Sequence, residues 1–217
     1  MSITRNIWDN QLTLRSYKWT HYFDMYDKWF SHWRDKNPVF VEVGVNHGGS
    51  MQMWQKYFTG KPEIYGIDID TYVLNLPLPG VELVIGDQSD PKFWDDFLAR
   101  VPHIDVFLDD GGHTMAQQIT TFKKVWPHIT QGGVYVCEDL HTSYWPEFQK
   151  DSPGFTMQDL AKTLTDYINI QHWKDTNKAD GNLRELSRDL AEISFCDSMV
   201  MFRKDKIIAK DVEKLPW

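Results

Sequence analysis

The chain is poor in what marks a secreted, membrane-spanning or nucleic-acid-binding protein. It has two cysteines, Cys137 and Cys196, in 217 residues. Two thiols make neither a disulfide framework nor a zinc quartet, so a reduced, cytoplasmic setting is expected. Positive charge is in deficit: 23 Lys and Arg face 31 Asp and Glu, a formal net charge of −8. Nucleic-acid binding rests on cations that neutralise phosphates, so no nucleic-acid partner is expected. No apolar run approaches the roughly 18–20 residues of a bilayer span, so no membrane partner is expected either. The opening residues, Met1-Ser2-Ile3-Thr4-Arg5-Asn6, form no apolar segment of the kind a secretory leader carries. The sequence shows no internal repeat and no low-complexity tract.

What is there is the composition of a folded protein: 41% hydrophobic, 25% charged and 14% aromatic, with ten Trp. Trp19, Tyr22, Phe23, Tyr26, Phe30 and Trp33 recur at helical spacing and predict an aromatic-faced helix over Tyr17–Trp33. That face suits core or oligomer contact, or closure over a ligand pocket. The Asn37-Pro38 break divides residues 1–37, a helical lid or interface, from a second domain over 38–217. Short β-branched runs then alternate with helical patterns. Strands are expected at Val39–Val43, Glu63–Ile67, Val81–Ile85, Ile104–Leu108 and Val134–Cys137. Asp90-Pro91 reads as an N-cap followed by proline at the first helical position. Helices are also expected from about Met115 to Trp126 and Thr156 to Ile170, and a surface loop over His172–Gly181. Ile193–Cys196 and Met199–Phe202, split by Asp197-Ser198, predict a closing hairpin. The fold class is α/β: a Rossmann-like, doubly wound, mainly parallel sheet with a C-terminal antiparallel hairpin.

In an open parallel sheet, ligands bind beyond the carboxyl ends of the strands. The first strand runs into a glycine-rich loop, Gly44-Val45-Asn46-His47-Gly48-Gly49-Ser50, and the next four end in acids. These are Asp68, Asp87, Asp109-Asp110 with His113 nearby, and Glu138-Asp139. One acid at a strand end is ordinarily a helix cap. Acids at four successive ends point to a functional edge. The glycine loop alone is a weak signal, and Asn46 stands where a dinucleotide fingerprint needs glycine. Asp68, placed to accept from two ribose hydroxyls, and Asp87, near an adenine edge, strengthen it.

Val41-Glu42-Val43-Gly44-Val45-Asn46-His47-Gly48-Gly49-Ser50, Tyr65-Gly66-Ile67-Asp68-Ile69-Asp70 and Ile85-Gly86-Asp87 resemble the first three motifs of the class I S-adenosylmethionine (SAM)-dependent methyltransferases. The likeness covers roughly Pro38 to Leu140. It implies SAM binding by Glu42, Gly44, Asn46, Gly48, Ser50, Asp68, Asp87, Gln88 and Asp109. Phe107-Leu108-Asp109-Asp110-Gly111-Gly112-His113 and Val136-Cys137-Glu138-Asp139-Leu140 are similar to the macrocin and mycinamicin sugar O-methyltransferases and the cephalosporin hydroxylase-like group. That resemblance implies Asp110, Glu138 and Asp139 as ligands of Mg²⁺ or another divalent cation. It implies His113 as general base, with Asp109 beside it orienting the loop. The chain departs from the pattern in having Gly112 where relatives often carry Ser. Lys18-Trp19-Thr20-His21-Tyr22 resembles a lysine–histidine–tyrosine feature of the same group.

The residue chemistry agrees with that likeness. Carboxylates on adjacent strand ends repel unless protonated or bound to a cation. An oxygen-rich site with one imidazole suits Mg²⁺, Ca²⁺ or Mn²⁺ better than Zn²⁺. A cation acidifies and orients an alcohol, and a neutral imidazole can take its proton. Tyr22, His141, Tyr144 and Trp145 are candidates to line the acceptor pocket, together with the loop from Lys150 to Thr156. The expected acceptor is a hydroxyl of a small molecule or glycan, with a sugar favoured by the resemblance. A metal-independent methyltransferase, a nicotinamide oxidoreductase and a homo-oligomeric binding protein using the aromatic helix as an interface stand as alternatives.

Overall fold

The sheet is assembled from β1 (Val39–Val43), β2 (Glu63–Asp68), β3 (Val81–Ile85), β4 (Ile104–Asp109), β5 (Ile129–Cys137), β6 (Leu190–Cys196) and β7 (Met199–Lys204). The computed structural model describes residues 2–152 and 154–206. Residue 153 of the Lys150–Thr156 loop and residues 207–217 of the expected second domain lie outside the described residues. The strand order is β3-β2-β1-β4-β5-β7-β6. The first five strands run parallel. β7 pairs antiparallel with β5 and with β6, forming the expected hairpin.

Burial on both faces explains the continuous apolar strands. Val41, Val43, Phe107, Tyr135 and Cys137 face one core cluster with Trp94, Phe97, Phe122 and Leu164. Phe40, Val106, Leu108, Val134 and Val136 face the other, with Tyr26, Phe30, Trp54 and Tyr57. The period-2 alternation of a strand divides the residues between the two faces. The first cluster is covered by α4 (Pro91–Arg100), α5 (Met115–Val125) and α6 (Met157–Tyr167), and the second by α1 (Ile3–Gln11), α2 (Tyr22–Phe30) and α3 (Gly49–Tyr57). Residues from both sides of the Asn37-Pro38 break thus share one core. Each large buried side chain contributes on the order of 1.5–3 kcal/mol.

The caps follow the sequence. Asp90 accepts from the Lys92 amide ahead of Pro91. Thr114 and Gln117 form a reciprocal capping box that starts α5. Several bounds differ from expectation: β5 starts at Ile129 instead of Val134, and α6 ends at Tyr167 instead of Ile170. The aromatic helix begins at Tyr22, not Tyr17, and residues 12–20 form an irregular strap. The strap's backbone groups find partners outside it: Gln52 accepts from the Thr13 and Leu14 amides, and Arg15 O accepts from Gly49 N. The expected loop after α6 contains short 3-10 turns at Ile170–His172 and Thr176–Lys178, and α7 (Gly181–Leu186) follows. Asp175 and Asp180 start the latter two by accepting from amides just ahead of them.

Candidate active site

Register sets the functional edge. Val43 pairs with Ile67 and with Asp109, Asp68 with Ile85, and Asp109 with Cys137. The carboxyl ends of β1 to β5 are therefore level, and the residues after them surround one cavity of about 350 Å³. That lies at the lower end of the usual size for a small-molecule site.

The glycine loop is shaped by backbone contact. Gly44 has φ of 95°, and a Cβ there would stand 1.9 Å from the Asp110 carbonyl oxygen. Gly44 N donates to Ile67 O and Asp110 N to Val43 O, which ties β1, β2 and β4 at the edge. Asp68 Oδ2 accepts from the Val45 and Asn46 amides at 3.0 and 2.9 Å. Its Oδ1 accepts from Asp70 N at 2.9 Å. Asp68 thereby fixes the loop while lining the cavity, as do Gly44, Asn46, Ser50, Asp87 and Gln88.

Three residues expected at the cofactor do not line this cavity. Gly48 shapes the turn, with φ of 84° and leucine side chains packed around it. Glu42 is fully buried beneath the loop, and its Oε2 accepts from Trp54 Nε1 at 3.0 Å. Burial pushes its carboxyl up to about 7, although Lys18 opposes the rise. Asp109, expected as a catalytic and cofactor residue, is also enclosed. It accepts from Gln88 Nε2 at 2.9 Å and from Tyr135 OH at 3.0 Å, and burial raises its pKa. For Asp109, the last residue of β4, the side chain points into the layer, and the next residue, Asp110, reaches the edge. Gln88 carries Asp109's influence outward, because its Oε1 accepts from Gly112 N at 2.7 Å.

Asp110, His113 and Asp139 converge. One ligand-type atom from each lies within 4.8 Å of the other two. His113 Nε2 is 3.3 Å from Asp139 Oδ2, and its Nδ1 is buried without a partner. Asp139 Oδ1 accepts from Tyr22 OH at 2.7 Å. Glu138 is not part of this group. Its carboxylate is fully buried, 2.9 Å from Lys18 Nζ, and accepts from Tyr26 OH. Burial pushes the Glu138 pKa well up, although Lys18 opposes the rise. Hard oxygen donors with one imidazole and excess negative charge fit a divalent cation. The structure therefore supports the expected donor class, while it brings Asp110 and Asp139 together and leaves Glu138 engaged with Lys18.

A second cavity adjoins the first and shares Asp110 and Asp139 with it. Tyr22, a candidate acceptor residue, lines it. His141 stands nearby, held by Ser198 Oγ at 2.5 Å with its ring edge-on to Trp145. Tyr144 and Trp145 are exposed and line neither cavity. The strap supplies walls that sequence reading did not assign: Arg15 lines the first cavity, Lys18 and Trp19 the second, and Ser16 and Tyr17 both. An irregular segment has no periodicity to reveal it, and its similarity to a lysine–histidine–tyrosine feature was the only signal.

Comparison with known proteins places this geometry. Residues 41–140 match the family model described as a methyltransferase domain. A rhamnosyl tetracenomycin-C 2'-O-methyltransferase of Streptomyces olivaceus is 33% identical over 84% of this chain and 50% of its own length. Demethylmacrocin O-methyltransferase of Streptomyces fradiae is 35% identical over 79% of this chain and 47% of its own. The chain thus spans about half the length of the curated relatives it matches. Among solved structures, MycE methyltransferase from the mycinamycin biosynthetic pathway, in complex with Mg and SAH, aligns with a TM-score of 0.77 at 30% identity, over 88% of this chain and 50% of that one. The chain thus has the class I methyltransferase fold, and its residues 41–140 are similar to a methyltransferase domain.

Proposed function

We propose that this protein is a metal-dependent, SAM-dependent O-methyltransferase whose acceptor is a sugar hydroxyl of a glycosylated natural product. The convergence of Asp110, His113 and Asp139 beside the glycine-loop cavity carries the reading. The acceptor class rests on relatives named as a rhamnosyl tetracenomycin-C 2'-O-methyltransferase and an L-olivosyl-oleandolide 3-O-methyltransferase, and the metal on the Mg and SAH of the similar structure.

Each residue has a role that its position supports. The loop from Gly44 to Ser50 and the carboxylate of Asp68 receive the cofactor, the former by close backbone approach. Asp87 lies farther along the same cavity, on the adenine side implied by the family motif. Asp110 and Asp139 would hold the metal, with Glu138 as a third ligand. When bound, a divalent cation lowers the pKa of the acceptor alcohol and orients it. His113 takes the proton at Nε2, and Asp139 stabilises the imidazolium that results. Tyr22 fixes Asp139 by donating to its other oxygen. Fixed reactants on a rigid edge can recover about 7–11 kcal/mol of a barrier.

The test is transfer of labelled methyl from SAM to a panel of deoxysugar-bearing aglycones, with Mg²⁺ or with excess EDTA. Product methylated on a sugar oxygen, lost in EDTA and restored by Mg²⁺, is the expected result. Full activity in EDTA would overturn the metal requirement. Stabilisation by NAD instead of S-adenosylhomocysteine (SAH) would overturn the methyltransferase reading.

A further inference from the structure

The roles above leave Lys18 unused, although it is the cation at the centre of the acidic cluster. Its side chain is 2% exposed, and Nζ lies 2.6 Å from Asp110 Oδ2, 2.9 Å from Glu138 Oε2 and 3.5 Å from Glu42 Oε1. The ammonium also stands 5.6 Å from the centre of the Tyr26 ring. Lysine is almost never fully buried unless paired. Here one ammonium faces three carboxylates, and Glu42 Oε1 has no hydrogen-bond partner. The cluster is therefore built around a cation.

Two of those carboxylates, Asp110 and Glu138, belong to the ligand set proposed above for the metal. Mg²⁺ binds carboxylate oxygens at about 2.0–2.1 Å. A metal held by both would lie on the same acids as the ammonium, where like charges repel strongly in a low-dielectric interior.

We infer that Lys18 is a tethered cation that keeps the metal's place, and that metal entry between Asp110 and Glu138 expels its ammonium. This rests on the metal-dependent reading above. It also accounts for Glu138: the acid is occupied by Lys18 until a stronger cation arrives. The exchange has a structural consequence. Lys18 sits on the strap, whose first part is tied to α3 through Gln52 and Gly49. Beyond Arg15 the strap forms the wall between the two cavities. Release of Lys18 shifts that wall, so metal loading and acceptor-pocket shape are coupled.

The test uses the full chain saturated with SAH. Lysine amines are reductively methylated in EDTA or in Mg²⁺ and quantified by mass spectrometry, and Mn²⁺ binding is followed by electron paramagnetic resonance. Labelling of Lys18 is expected to rise at least tenfold with Mg²⁺, while exposed Lys92 stays constant. Lys18→Met is expected to bind Mn²⁺ at least tenfold more tightly. Bound Mn²⁺ with Lys18 still protected would overturn this inference alone. Equal or weaker Mn²⁺ affinity in Lys18→Met would do the same. Absence of Mn²⁺ binding in the natural chain would overturn the metal reading and this inference together. Should Lys18→Met fail to fold, labelling of the natural chain decides.

Discussion

His113 and Asp139 meet at 3.3 Å, Nε2 to Oδ2, and both hold left-handed backbone, with φ of 61° and 55°. Non-glycine residues adopt that region at a cost and persist there when surrounding contacts hold them. Thr142 supplies such a contact, its hydroxyl donating to the carbonyls of both residues at 3.1 and 2.8 Å. The two strand-end loops are thus latched so that imidazole and carboxylate face each other across the cavity.

His113→Ala should separate binding from chemistry. SAH affinity should stay within about threefold, since Asp68 and the glycine loop are untouched. The methyl-transfer rate should fall by roughly 10²–10⁴-fold, the usual contribution of a general base. Calorimetric titration and initial rates measure the two quantities, and a rate near the natural enzyme's would remove His113 from the role.

Asp139→Asn keeps the shape and the Tyr22 contact but weakens the charge that faces His113. Affinity for Mg²⁺ should drop about 10–100-fold, as for loss of a group that holds or orients a metal ligand. The rate at saturating metal should remain depressed because the imidazolium loses its counter-charge. Restoration to the full rate by metal alone would assign Asp139 to metal binding only.

Glu42 sets a pH dependence. Burial raises its folded-state pKa from 4.5 to about 7. A carboxyl raised on folding stabilises the native state fully below its unfolded value. That contribution is lost as pH rises through the folded value. In EDTA, stability should therefore decline between pH 4.5 and 7, by up to about 1.4 kcal/mol per pH unit for this one group. Asp109 and Glu138, also raised, add in the same direction. Urea unfolding across that range should show the decline, and Glu42→Gln should flatten it. An unchanged slope in the variant would remove Glu42 as its source.

Gly44→Ala should damage the site and the fold together. The new methyl would stand 1.9 Å from the Asp110 carbonyl oxygen at φ of 95°. Strain of this kind costs on the order of 1–3 kcal/mol. The melting temperature should fall and SAH binding should be lost. Gly132→Ala is a useful control: it shares the positive φ, but no atom lies near its added methyl. It should lower stability while preserving SAH binding.

Periodicity and strand-end chemistry made much of this protein legible. Apolar runs buried on both faces located β1 to β5, and the Asp197-Ser198 turn located the closing hairpin. The Asp90-Pro91 cap and the acids after each strand were readable because caps and parallel-sheet edges depend on local order. Tertiary structure alone decided which acids reach the cavity. Asp110 and Asp139 line both cavities, whereas Asp109 turns into a buried partner of Gln88 and Glu138, held by Lys18, borders only the second. It also decided where Lys18 lies, because that contact joins residues 92 and 120 positions apart. Local pattern reports which face of its own element a residue occupies. Which distant cation meets which carboxylate depends on how the strap crosses the edge, and no periodicity in the chain encodes that crossing.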